Sequence, residues 1–110
     1  MIKFDLSNRV AVITGGAQGF GFAIAERFIQ SGAKVVIWDI DEQEAKKAVQ
    51  KINSENISYK IVNVCNFEEI SKSLKDIETE HNKIDNFVNN AGITGMNKTV
   101  AEYPILQLFY

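Results

Sequence analysis

Residues 10 to 21 read VAVITGGAQGFG, a continuous apolar run that stops at Thr14 and gives way to a turn carrying Gly15, Gly19 and Gly21. An apolar run without alternation suits a strand buried on both faces, and such strands belong to parallel sheets covered by helices. The residues that follow agree with this. Ile24, Ala25, Phe28 and Ile29 recur at helical spacing, and Ser31-Gly32 offers a stop where glycine can take positive φ. KVVIWD, residues 34–39, is a second apolar strand. Asp41 and Glu44 have capping-box spacing ahead of a stripe formed by Ala45, Ala48, Val49 and Ile52. ISYKIVNV, residues 57–64, reads as a third strand, and Asn66 with Glu69 repeats the cap signature. Behind that cap, Phe67, Ile70, Leu74 and Ile77 line one face of a helix that reaches about His81. IDNFVNNAG, residues 84–92, closes the pattern as a fourth β-rich run.

The order βαβαβαβ, with connections too short for anything but crossovers, predicts an α/β protein with a doubly wound parallel sheet. Right-handed crossovers give the strand order 3-2-1-4, which reverses between the first and fourth strands. A ligand is expected above that reversal. At 110 residues the chain has room for one domain, and its 45% hydrophobic and 24% charged residues are the balance of a soluble globular protein. Twelve Lys and Arg against 14 Asp and Glu leave a net charge of -2, which excludes a strong field for nucleic acid or an anionic membrane. No apolar stretch approaches a membrane span, and MIKFDLSNRV has no apolar core of an export signal. Cys65 is the only cysteine, so an internal disulfide and a CxxC site are both impossible, and a reducing cytoplasm is the expected setting.

The glycines suit a phosphate. A tight turn after Thr14 needs positive φ, and a pyrophosphate approaches backbone only where no Cβ stands in the way; Gly15 and Gly19 fit those needs. Gly21, one turn into the helix, lets that helix lie close and aim its N–H groups at the ligand. The alternative is a plain glycine-rich turn without a ligand. Asp39 ends the second strand about 20 residues beyond the turn, where a carboxylate accepts hydrogen bonds from an adenosine ribose and repels a 2′-phosphate. NAD is therefore expected over NADP. The alternative has Asp39 merely starting the next helix, although Asp41 is the better cap.

TGGAQGFG at 14–21 and NNAG at 89–92 resemble the TGxxxGxG and NNAG signatures of the short-chain dehydrogenase/reductases, and the phrase IDNFVNNAGIT resembles 3-oxoacyl reductases and related alcohol dehydrogenases. The resemblance runs from about Leu6 to Pro104 and covers the first half of that family's Rossmann-like domain. It implies that the backbone at Gly15, Gln18, Gly19, Phe20 and Gly21 holds a pyrophosphate, with Asp39 and Ile40 on the adenosine ribose. It further implies that Asn63 and Val64, in place of the frequent Asp-Val pair, flank the adenine, and that Asn90, Ala91 and Gly92 lie near the nicotinamide ribose. Asn89 has the alternative role of tying the sheet together. Phe20 replaces the usual isoleucine, a change that a backbone contact tolerates.

The family's serine, tyrosine and lysine lie beyond its fourth strand, the last two spaced Y-x-x-x-K; the tyrosine is the acid or base and the lysine lowers its pKa. Within these 110 residues Asn63 follows Tyr59 by four, Gln107 follows Tyr103 by four, and Tyr110 is last, so no residue is assigned a catalytic role. After Pro104 a polar helix is expected, yet the text reads ILQLFY, residues 105–110, which points to a single truncated dinucleotide-binding domain. Three functions stay open: a silent remnant, one half of a split reductase completed by another chain, and a non-enzymatic interaction module. An open fourth-strand edge would serve self-association or a complementary reductase fragment. His81 near a helix end, Cys65 as half-buried filler and the solvated helix face DEQEAKK, residues 41–47, are read as structural, and no metal site is expected.

Overall fold

The computed structural model describes residues 5–90. Its elements are β1 (Val10–Thr14), α1 (Gly19–Gln30), β2 (Lys34–Asp39), α2 (Glu42–Ile52), β3 (Ile57–Ile61), α3 (Phe67–His81) and β4 (Asn86–Val88). The four strands form one parallel sheet in the order β3-β2-β1-β4. β1 is buried at all five positions, because it has a strand on each side and a helical layer on each face.

Alternation along the strands splits the core in two. Val10 and Val12 of β1 and Val36 and Trp38 of β2 pack with Ile70, Leu74 and Ile77 of α3. Ile13, Val35 and Ile37 face the other way, onto Ala25 of α1 and Ala48 of α2. α1 and α2 thus share one face and α3 takes the opposite one. That is the geometric result of strand order running 3-2-1 and then jumping to 4. Trp38 is fully buried and meets Phe87 edge-on, with ring centroids 5.4 Å apart.

The first two strands match the expected spans, and the other two are shorter. β3 ends at Ile61 because Val62 still donates to the Asp39 carbonyl (3.0 Å), but the Asn63 N–H turns to the Glu69 carboxylate (3.0 Å) and Asn63 Oδ1 accepts from Cys65 N–H (2.9 Å). An Asx turn has replaced the ladder. β4 ends at Val88 because the Asn90 N–H finds the Thr14 hydroxyl (2.8 Å) instead of a backbone carbonyl. Phe67 does not join the apolar face of α3: it is 64% exposed, at the first residue of the helix. Cys65 is exposed rather than half-buried. His81 closes α3, with Nε2 3.8 Å from Glu80 Oε2. Ala91, Gly92 and the 105–110 tail lie outside the described residues.

Asp85 ties the start of β1 to the turn before β4. Its Oδ2 accepts the Val10 N–H (2.8 Å) and lies 3.1 Å from Lys83 Nζ. The Val10 N–H, more than the nearby lysine, holds this carboxyl below the ordinary carboxylate value. A lowered folded pKa contributes stability that is complete above the unfolded value, about 3.9, and is lost as pH falls through the lower folded value. Asp85→Ala should therefore cost about 0.5–1 kcal/mol in urea unfolding at pH 7, the size of one surface hydrogen bond, and the gap from the unmutated chain should close as the solution is acidified.

Candidate functional site

Parallel strands deliver all their C-terminal ends to one rim, so the loops after β1, β2, β3 and β4 meet there. Hydrogen bonds link those loops in the order of the strands. Asn90 Nδ2, beyond β4, donates to the Gly15 carbonyl after β1 (3.4 Å). The Ala17 N–H in the same turn donates to Asp39 Oδ2 at the end of β2 (3.3 Å), and the Asp39 carbonyl accepts from Val62 after β3. Gly15, Asp39, Asn63 and Asn90 are thereby drawn onto one continuous rim.

The turn itself is built from two left-handed glycines, Gly15 at φ 62° and Gly19 at φ 57°, a region side chains enter only at a cost. A Cβ on Gly19 would meet nothing within 4 Å, so the space over it is open. Gly21 is the opposite case: a Cβ there would overlap the Gly15 carbonyl oxygen and lie 2.6 Å from Asn90 Nδ2. The close approach expected of Gly21 is thus against the turn and the end of β4. Gly15 shapes the turn without offering its N–H outward, since that group donates to the Trp38 carbonyl (2.7 Å). The first ladder bond of α1 runs from Phe22 N–H to the Gln18 carbonyl (3.3 Å), leaving the N–H groups of Gly19, Phe20 and Gly21 ahead of the ladder.

The three helix starts differ in charge. α2 is capped by Asp41, which accepts from Glu44 N–H (3.1 Å), and α3 by Asn66, which accepts from Glu69 N–H (3.2 Å); each also carries two glutamates in its first turn. Gln18 makes no side-chain cap on α1, and no acidic residue stands in the first turn. The positive end of α1 is therefore not offset by a carboxylate of its own first turn, and it lies beside the open space at Gly19. A groove of about 370 Å³ runs from Gln18 and Gly19 along α2, with Lys47 and Lys51 on its wall.

Asp39 is half-buried at the end of β2, with Oδ1 accepting from Asp41 N–H (3.1 Å) and Oδ2 from Ala17 N–H. Two backbone donors fix its orientation, and each oxygen retains a further lone pair. Asp41, not Asp39, caps the helix. Ile40 is 71% and Phe20 84% exposed on the same rim, while Val64 is half-buried against the α3 core. Asn89 keeps its structural role, with Oδ1 accepting from the Thr14 hydroxyl (3.1 Å). The Thr14 hydroxyl and the Ala17 N–H escaped the sequence reading. A hydroxyl ending an otherwise apolar buried strand is the signal that could have found the first.

A family model described as short chain dehydrogenase matches residues 9–107. The chain belongs to the short-chain dehydrogenase family. Within that family it is 38% identical over 92 residues to a 3-oxoacyl-[acyl-carrier-protein] reductase of Chlamydia trachomatis, covering 81% of this chain and 37% of that protein. It is also 38% identical over 96 residues to a probable NADP-dependent mannitol dehydrogenase of Yarrowia lipolytica, covering 84% and 34%. Among solved structures, a short chain dehydrogenase from Bacillus anthracis superposes with a TM-score of 0.76 at 32% identity, covering 78% and 35%. A 3-ketoacyl-(acyl-carrier-protein) reductase from Brucella melitensis, solved with NADH, gives 0.71 at 29% identity, covering 76% and 34%. The chain spans about a third of the length of these relatives. The short-chain dehydrogenase fold accounts for the strand order and the layered helices.

Gly21→Ala tests the close approach on which the rim depends. The added methyl must displace the Gly15 carbonyl or the Asn90 amide, so unfolding free energy should drop by about 1–3 kcal/mol, as for other overpacked sites. Gly19→Ala meets no atoms but keeps the left-handed φ, and should cost about 1 kcal/mol through backbone strain alone. Chemical denaturation of both variants checks the ranking.

Proposed function

We propose that the chain is the dinucleotide-binding half of an oxidoreductase acting on alcohol or carbonyl groups, and that it prefers NAD to NADP. The observation that carries the reading is the uncapped, glycine-lined start of α1 with the Asp39 carboxylate beside it. The pyrophosphate would take the N–H groups at the start of α1, and Asp39 would accept from the adenosine ribose. Asn63 and Val64 would flank the adenine, and Asn90, with Ala91 and Gly92, would lie toward the nicotinamide ribose. When bound, the nicotinamide supplies hydride transfer. The relatives include one named for NADP and one solved with NADH, so discrimination rests on this chain's own carboxylate. The reducing cytoplasm is its proposed setting, with Cys65 as the single cysteine of these 110 residues.

Asp39→Ala removes both the ribose acceptor and the charge that opposes a 2′-phosphate. Calorimetric titration should show NAD binding weakened by about tenfold or more, as for a charge-assisted hydrogen bond, with NADP weakened less or strengthened. Equal or tighter binding of NADP by the unmutated chain would overturn the preference.

Turnover would need residues outside these 110, on the same or another polypeptide, because no Y-x-x-x-K pair occurs among them. The second reading, a split enzyme, is favoured by one observation: among the described strands β4 pairs only with β1, so its outer edge can receive a further strand. The same edge would also support self-association. The 110-residue chain alone should consume no NADH over a panel of ketones, since general acid–base catalysis alone is worth ~10²–10⁴-fold. Activity that appears only on adding the separately expressed C-terminal part of a related reductase would favour the split enzyme, whereas turnover by the chain alone would refute the proposal.

A further inference from the structure

The start of α3 departs from the capping box in a specific way. In that box the glutamate at the third helical position returns to the N–H of the cap residue. Here the Asn66 N–H is taken by the Asn63 carbonyl (2.9 Å), and Glu69 reaches past the cap to the Asn63 N–H, six residues back, at 3.0 Å. Asn63 Oδ1 meanwhile accepts from Cys65 N–H (2.9 Å). The N–H, side-chain oxygen and carbonyl of Asn63 are thus all held, and only the bond from Glu69 comes from outside the turn. Its other two bonds are local, to Cys65 and Asn66 within the turn. Asn66 joins the far end of that turn to α3 through the bonds from the Glu69 and Ile70 N–H groups, and the Glu69 carboxylate is the side chain that ties the Asn63 end to the same helix, anchored by buried Ile70 and Leu74.

We propose that Glu69 is a positioning residue for the adenine side of the site: its carboxylate holds Asn63 at the angle from which it faces the base, while Val64 is held by its packing on the core. The proposal rests on the dinucleotide reading above, and Glu69 itself touches no ligand. Freeing the Asn63 N–H lets Asn63 sample orientations that do not meet the base, which lowers affinity for adenine nucleotides and leaves the phosphate contacts at the start of α1 untouched.

The test is calorimetric titration of the 110-residue chain with AMP and with inorganic pyrophosphate. Glu69→Ala should weaken AMP about two- to fivefold, the size of one exposed hydrogen bond, and leave pyrophosphate unchanged. Glu69→Gln keeps an oxygen that can accept the Asn63 N–H and should retain the AMP affinity of the unmutated chain. Hydrogen exchange at the Asn63 amide of the unmutated chain gives a readout independent of any variant's folding, and saturating AMP should slow it. Equal AMP affinity in Glu69→Ala, equal losses for AMP and pyrophosphate, or Asn63 exchange indifferent to AMP would each overturn the role of Glu69. Failure of the unmutated chain to bind AMP at all would instead overturn the dinucleotide site, and this inference with it.

Discussion

Contact between two pieces of backbone, Gly21 in α1 and the carbonyl of Gly15 in the turn, governs the geometry of the whole rim. No side chain fits between them, so the first turn of α1 is pressed against the end of β1 and next to the Asn90 amide. From that contact follows the close approach of the first turn of α1 to the strand ends, while the parallel ladder sets β4 beside β1. The hydrogen bonds at Thr14 then lock what the contact has brought together, because one hydroxyl both donates to Asn89 and accepts from Asn90. A sheet end that in most strands would be a simple turn is here a packed backbone junction. Its tolerances are set by carbon and oxygen radii more than by the energies of single bonds.

Much of this was legible in the sequence, for identifiable reasons. Val10–Thr14 and Lys34–Asp39 sit in the middle of a sheet covered on both faces, where burial demands unbroken apolar text, and their limits were read to the residue. Asp41 and Asn66 were readable as caps because a helix start has only a few chemical solutions. The outer strands were less legible. β3 and β4 stop where a side chain, of Glu69 or Thr14, captures an N–H that the ladder would have used; the first capture reaches past a cap that was expected to take it, and the second depends on a partner 76 residues away. Phe67 misled as well: its spacing matches Ile70 and Leu74, but periodicity carries no information about where along a helix the buried face begins.

The site divides along the same line. Gly15, Gly19, Gly21 and Asp39 could be picked out because each answers a local demand, of φ, of close approach or of charge at a strand end. The bonds that join the loops could not, since the Ala17 N–H meeting Asp39, or the Asn90 amide meeting Gly15, requires strands 1, 2 and 4 already in register. Lys47 illustrates the limit well: in sequence it belongs to a solvated charge run, and only the packing of α2 beside α1 puts it, with Lys51, on the wall of a groove that opens at the glycine turn.

Trp38 is the only tryptophan in the chain. It is enclosed against Phe87, stands one residue before Asp39, and through its carbonyl holds the N–H of Gly15. The indole is therefore a natural optical probe placed at the hinge between core and rim. Its emission should be blue-shifted in the native state and move to the red on unfolding. Any event that disturbs the turn or the end of β2 is coupled to the chromophore through a single covalent step or one hydrogen bond. Spectroscopy can thus follow the assembly of the sheet and of its upper edge without a label.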